Sequence, residues 1–180
     1  MEQLGYITGA GIRDQILLDY YDKWKFKHPS VNDLIRLAEK RSGMKLDWYK
    51  EYWVNSTKTI DYTIDSLWED GKETLIRIKR MGLMPMPIDV QLTFADGSRE
   101  LHYVPLDLQY GEKPIEDSSL PRKVYSPWKW THATYTLSTT KKLATVTLVD
   151  IDPSQRLADI DRKNNQLKLD WSTPTPITVK

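Results

Sequence analysis

Ile88-Asp89-Val90-Gln91-Leu92-Thr93-Phe94, followed by Ala95-Asp96-Gly97-Ser98 and then Arg99-Glu100-Leu101-His102-Tyr103-Val104-Pro105, is the stretch on which the fold turns. From Ile88 to Phe94 every second side chain is apolar, the period of a strand with one buried face. Asp96-Gly97 tolerates positive φ, and Leu101, Tyr103 and Pro105 resume the alternation, so the stretch reads as a hairpin with a tight turn. Pro85 and Pro87 lack backbone donors and hold their neighbours extended, which marks the edge or beginning of a sheet. No catalytic motif lies in it.

Working outward, further strands are expected over Ile60 to Trp68, Thr74 to Lys79, Lys129 to Ser138 and Leu143 to Ile151, with a weaker one near Gln166 to Leu169. Turn signals at Asp70-Gly71 and Asp152-Pro153 separate them, while Gly111 to Pro127, polar and with three prolines, reads as one long loop. The segment Ser172-Thr173-Pro174-Thr175-Pro176 should be extended and poorly packed. Upstream of Thr57 the period is that of helices. Residues 1 to 10 read as an aperiodic lead-in, and Gly9-Ala10-Gly11 has Asp14 where a dinucleotide fingerprint needs its third glycine. Ile16, Leu17, Tyr20 and Trp24 then share a helical face; Ser30 with Asp33 makes a capping pair for Val31, Leu34, Ile35 and Ala38; Gly43 stands at a C-cap. Asp47 suits the cap of a third helix carrying Trp48, Tyr49, Tyr52 and Trp53. The expectation is an α+β chain: a short helical segment over residues 1–57, then over 58–180 an antiparallel β-sandwich of fibronectin or immunoglobulin type with an extended tail.

Bulk composition narrows the functions. Twenty-six Lys plus Arg stand against 25 Asp plus Glu, interleaved throughout, which argues against a nucleic-acid stripe or a polybasic membrane patch. Cysteine is absent, so disulfides, thiolate zinc sites and cysteine nucleophiles are excluded. No run approaches the ~20 apolar residues of a membrane span, and Met1 to Gly5 shows no signal-peptide pattern. His28, His102 and His132 are far apart and lack H-E-x-x-H spacing, so they read as ordinary turn and strand residues rather than a zinc site. Asp150, Asp152, Ser154 and Asp161 fall at calcium-loop positions, but Gln155 replaces the required glycine and Pro153 departs from the pattern; an aspartate-rich turn is the better reading. Serine-hydrolase, Walker and kinase signatures are missing.

Tryptophan is the one excess, seven in 180 residues. Trp128 and Trp130 fall on one side of an expected strand: exposed, they would stack on sugar rings or hold a peptide; buried, they fill a core, and core or interdomain packing is preferred. Trp24, Trp48, Tyr52 and Trp53 make more aromatic surface than a short helical hairpin buries by itself, so part of it should face another body.

Taken together, several runs carry a resemblance: Trp24-Lys25-Phe26-Lys27-His28-Pro29, Leu46-Asp47-Trp48-Tyr49 with Trp53, Gly82-Leu83-Met84-Pro85-Met86-Pro87-Ile88-Asp89-Val90, Trp128-Lys129-Trp130, and Ile151-Asp152-Pro153-Ser154-Gln155-Arg156-Leu157-Ala158-Asp159-Ile160-Asp161 with Asn164-Asn165. In this order, over about residues 12 to 165, the chain resembles the C-terminal region of bacterial zinc metallopeptidases of the aminopeptidase-N-like, or gluzincin, family. The resemblance implies the end of that family's helical region followed by a β-sandwich. It also implies a parent that holds zinc and removes N-terminal residues from peptides, and that is exported to the periplasm or envelope. The family's H-E-x-x-H, its downstream zinc-binding glutamate, its exopeptidase motif and its oxyanion tyrosine are all absent here. No catalytic, metal or cofactor role therefore passes to any residue of this chain. The expected partner is the remainder of the peptidase, packed against the aromatic helical face. The alternative is a freestanding glycan- or peptide-binding module that uses Trp128 and Trp130.

Overall fold

A computed structural model of the protein describes residues 1–171. Four helices come first: α1 (Glu2–Thr8), α2 (Ala10–Trp24), α3 (Val31–Ser42) and α4 (Asp47–Trp53). Eight strands follow: β1 (Tyr62–Asp70), β2 (Glu73–Arg80), β3 (Ile88–Phe94), β4 (Arg99–Val104), β5 (Arg122–Val124), β6 (Thr134–Thr139), β7 (Val146–Ile151) and β8 (Gln166–Lys168). The class is mixed α+β. The strands form two sheets, β1-β2-β6 and β5-β4-β3-β7-β8. Ile76, Ile78 and Leu137 of the first sheet and Val90, Leu92 and Val149 of the second belong to one continuous core, which also takes in Leu4, Ile7, Ile35 and Trp48 of the helices.

The hairpin at the centre forms as its alternation requires. β3 pairs with β4 from Ile88↔Val104 to Thr93↔Arg99, and Gly97 turns the chain at φ 80°. Ile88, Val90, Leu92 and Phe94 are all buried. Asp89 on the opposite face is buried too, because α1 and the segment around Lys113 lie over that side. Gly82 fixes the approach to the hairpin: a Cβ there would stand 2.4 Å from the Thr59 carbonyl oxygen, and the Met81 and Gly82 amides both donate to the Asp61 carbonyl, at 2.7 and 3.0 Å. Only a residue without a side chain lets the two backbones cross so closely.

Several expectations are corrected. Residues 2 to 8 are helix α1, not an aperiodic lead-in; seven residues are too few to show a period, and the helix is held by burying Leu4, Tyr6 and Ile7. The long loop contains β5, which runs parallel to β4, so the five-stranded sheet is mixed rather than antiparallel. The strand expected from Lys129 begins only at Thr134, and Leu143–Thr145 is a 3-10 turn ahead of β7. Asp47 is the first residue of α4 rather than its cap; Leu46 precedes it, its amide donating to Glu39 Oε1 at 2.9 Å. Ser30 does cap α3: its amide and hydroxyl both donate to the Asp33 carboxylate, at 2.9 and 2.8 Å. The expected extended tail at Ser172–Pro176 lies outside the described residues.

Candidate functional site

The aromatic helical residues separate into inner and outer sets. Trp48 is buried, its Nε1 donating to the Lys45 carbonyl at 3.0 Å, so it belongs to the chain's own core and not to an outward face. Trp24, Tyr52 and Trp53 are half-buried. Lys23 and Lys27 place ammonium groups 5.5 and 5.9 Å from the Trp24 ring, and Lys58 stands 4.9 Å from that of Tyr52. The indole N–H groups of Trp24 and Trp53 are enclosed and have no hydrogen-bond partner among the described residues. The α2 region also carries apolar residues that the sequence does not mark as surface. Leu18 is 68% exposed, Tyr21 64% and Phe26 100%, with Leu17 also exposed; in α2 only Ile16 is buried.

Trp128 and Trp130 do not share a face. Because residues 128 to 132 turn rather than run as a strand, Trp128 goes inward and Trp130 outward. Trp128 is buried between Tyr62 and Tyr135, with ring centroids 5.6 and 5.5 Å away, and its Nε1 donates to the His132 carbonyl at 2.9 Å. Trp130 is exposed, tied by its amide to Asp107 Oδ1 at 3.1 Å and by its carbonyl to Arg80 Nη2 at 2.5 Å.

His102 and the aspartates singled out in the sequence have structural partners. His102 lies on β4, fully enclosed, with Nδ1 2.8 Å from the Tyr125 hydroxyl and Nε2 3.4 Å from Glu100 Oε2. Tyr125 donates in turn to the Ser138 carbonyl on β6 at 2.8 Å, so this chain of groups ties the two sheets together. Burial pushes the imidazole down to about 4. The aspartates of the calcium-like spacing serve local structure: Asp150 accepts from Gln166 Nε2 at 3.1 Å, Asp152 from Ser154 Oγ at 2.6 Å and the Leu157 amide at 2.6 Å, and Asp161 from the Lys163 amide at 3.3 Å; Asp159 beside them accepts from the Tyr62 and Asp161 amides, each at 2.9 Å. Among the described residues no group of three or more His, Asp or Glu is placed to hold a metal ion, and no helix is long and apolar enough to cross a membrane.

A cleft of about 360 Å³, with both charged and apolar side chains in its walls, opens over β3, β4 and β5, a site that no sequence motif announces. At its inner end Lys113, itself buried, pairs with Asp89 and stands 3.3 Å from Glu116 Oε2. Arg156 grips the same Glu116 through both its Nη atoms, at 3.1 and 2.5 Å. Burial raises the Glu116 carboxyl, but Arg156 and Lys113 outweigh it and hold the group below its ordinary value. Tyr6 of α1 accepts from the Asp89 amide at 3.1 Å, with the Lys113 ammonium 4.6 Å from its ring. Burial, reinforced by Asp89, keeps the Tyr6 phenol well above its ordinary value. This network joins α1, β3 and two loops into one rigid wall.

Compared with known proteins, the chain matches no family model, no curated protein and no solved structure.

Proposed function

We propose that this chain is a noncatalytic structural module, the C-terminal part of an aminopeptidase-N-like zinc metallopeptidase, that docks through its helical segment onto a catalytic body. The observation that carries the reading is α2: a fifteen-residue helix that buries Ile16 alone and turns Leu17, Leu18 and Tyr21 outward, with Phe26 beyond its end. Such an apolar surface is stable in water only if small or covered, and a neighbouring body is what the sequence resemblance expects there. Trp24, Tyr52 and Trp53 border that surface in the reading; Trp48 does not take part.

The sandwich of fibronectin type belongs to the same proposal. β1 and β2 share a sheet with β6, which pairs with β2, and the next hairpin lies in the other sheet, where β3 pairs with β7 and β7 with β8, so the chain crosses between sheets as a Greek-key sandwich does. In this reading β5 is an addition at the edge beside β4.

The test is to extend the open reading frame upstream in the source DNA and to assay the chain alone and joined to whatever precedes it. The proposal expects H-E-x-x-H with a downstream glutamate in the preceding segment, aminopeptidase activity only in the joined protein, and a loss of the joined protein's stability when Leu18 and Tyr21 are changed to serine. Zinc-dependent turnover of aminoacyl substrates by the isolated chain overturns it. The rival reading, a freestanding glycan or peptide binder, retains only Trp130 as an accessible ring. It expects Trp130→Ala to abolish binding with the fold intact.

A further inference from the structure

We propose that the cleft over β3, β4 and β5 is a binding site for an organic carboxylate, held by the guanidinium groups of Arg122 and Arg99 with its body lying against the apolar walls. The site is independent of the docking surface on α2.

Register places the relevant side chains on one sheet face. Asp89↔Tyr103 and Gln91↔Leu101 face each other across β3 and β4, and Leu101↔Arg122 continues the row into β5. Arg99, Leu101 and Tyr103 alternate along β4 toward that same face, so Arg99 stands ~13 Å along the strand from the Tyr103 level and Arg122 about half as far. Two loops wall the floor, one contributing Pro114 and Leu120, the other Pro153.

The charges decide what fits. Arg99, Lys113, Arg122 and Arg156 line the cleft against Asp89, Glu116 and Asp117, a surplus of one positive charge. Lys113 and Arg156 are engaged by Asp89 and Glu116. Asp117 already accepts from the Ser119 amide and hydroxyl, at 2.9 and 2.6 Å. That leaves two guanidiniums with no ion pair among the described residues: Arg99, whose charge reaches Asp117 at longer range, and Arg122, which has no carboxylate partner there. Arg122 is nevertheless held in place: Nη2 donates to the Lys113 carbonyl at 3.0 Å, and its plane lies over the Tyr103 ring, 4.5 Å from the centroid. One side of the fork is fixed, and the remaining N–H donors have no acceptor among the described residues.

A half-buried arginine that is positioned in advance and lacks a counterion suits a planar anion, which it meets with two parallel hydrogen bonds. The single surplus charge matches a monoanion rather than a phosphate dianion. Leu101, Leu120, Pro114 and Pro153 offer nothing to an inorganic ion but cover the carbon skeleton of an organic acid. Either a small free acid or the C-terminal carboxylate of a peptide supplies this chemistry.

The experiment is titration of the purified chain by NMR, following backbone amides and arginine Nε–H signals. The probes are N-acetyl-alanyl-alanine, its C-terminal amide, butyrate and inorganic phosphate. The acid is expected to shift Arg122, Leu101 and Arg99 saturably, and the amide to bind at least ~10-fold more weakly, since a hydrogen-bonded charge contact is lost. Arg122→Gln is expected to reduce affinity roughly 10- to 100-fold, and the exposed Arg99→Gln by a few-fold. Tighter binding of the dipeptide acid than of butyrate assigns the site to a peptide end, and equal binding assigns it to small acids; both sustain the proposal. Equal binding of acid and amide overturns it, as do phosphate binding at least as tight as the organic acids, an unchanged affinity in Arg122→Gln, or no saturable shift up to about 10 mM. If Arg122→Gln fails to fold, the acid–amide comparison and Arg99→Gln decide the question in its place.

Discussion

Helix α2 and strand β3 carry apolar residues in similar measure, eight of fifteen and four of seven, yet one buries a single side chain out of fifteen and the other buries five of seven. The difference lies in what covers them. β3 has β4 and β7 as hydrogen-bonded neighbours, the shared core on one face, and α1 with Lys113 on the other. α2 rests on α1 and α3, held to the latter by the Arg41–Asp19 pair, and its remaining faces meet water. β3 is thus covered on both faces within the chain, whereas α2 leaves Leu17, Leu18 and Tyr21 exposed.

The contrast breaks hardest at the inter-sheet core. Trp128→Ala, which empties the space between Tyr62 and Tyr135, is expected to cost ~3–5 kcal/mol in urea unfolding. A loss under about 1 kcal/mol shows that the two sheets do not share this ring.

Next in size is the acid sensitivity of His102. Its folded-state value of about 4 lies below the ordinary 6.5, so between those values the unfolded chain binds the extra proton and the native state does not. Stability falls as pH drops from 6.5 toward 4, by roughly 3 kcal/mol from this group. Burial raises the carboxyls of Asp150, Asp152 and Asp159, which act in the opposite direction. The readout is accordingly the difference between the chain and His102→Gln across that range. Parallel pH profiles remove His102 as the cause.

Smaller effects sharpen the helical side. Ser30→Ala removes the cap of α3 and is expected to cost about 1 kcal/mol, seen as faster hydrogen exchange in α2 and α3 with the sheets unchanged. Leu18→Ser on the isolated chain is expected to change stability by less than about 0.5 kcal/mol. A larger loss there means that α2 is already covered, and the docking surface disappears with it.

How far the sequence reveals this structure depends on how locally each feature is encoded. The β3–β4 hairpin is legible because the alternation and Asp96-Gly97 sit within one short window. α3 is legible from Ser30, Asp33 and Gly43. β5 is not: Arg122-Lys123-Val124 has no period, and its parallel partner lies about twenty residues earlier in the chain. α1 is hidden by its length. Trp128 and Trp130 read as a pair only if the backbone between them is extended, and the turn to His132 sends them opposite ways. The cleft is the least legible feature, since Asp89 and Lys113 are 24 residues apart and Glu116 and Arg156 are 40 apart. Nothing in the spacing of such residues distinguishes them from solvated charges. The peptidase reading, by contrast, rests on sequence runs rather than on shape.

The docking of α1 carries a consequence for synthesis. Gln3 donates to the Arg156 carbonyl at 2.6 Å and accepts from the Ala158 amide at 3.3 Å, contacts that span 153 and 155 residues. On the ribosome, α1 emerges long before the turn that Gln3 grips, and at ordinary elongation rates it waits roughly ten to thirty seconds for it. A nascent chain arrested before Arg156 would hold Tyr6 against Asp89 and Lys113 without the Gln3 anchor that closes the first residues onto the last turn.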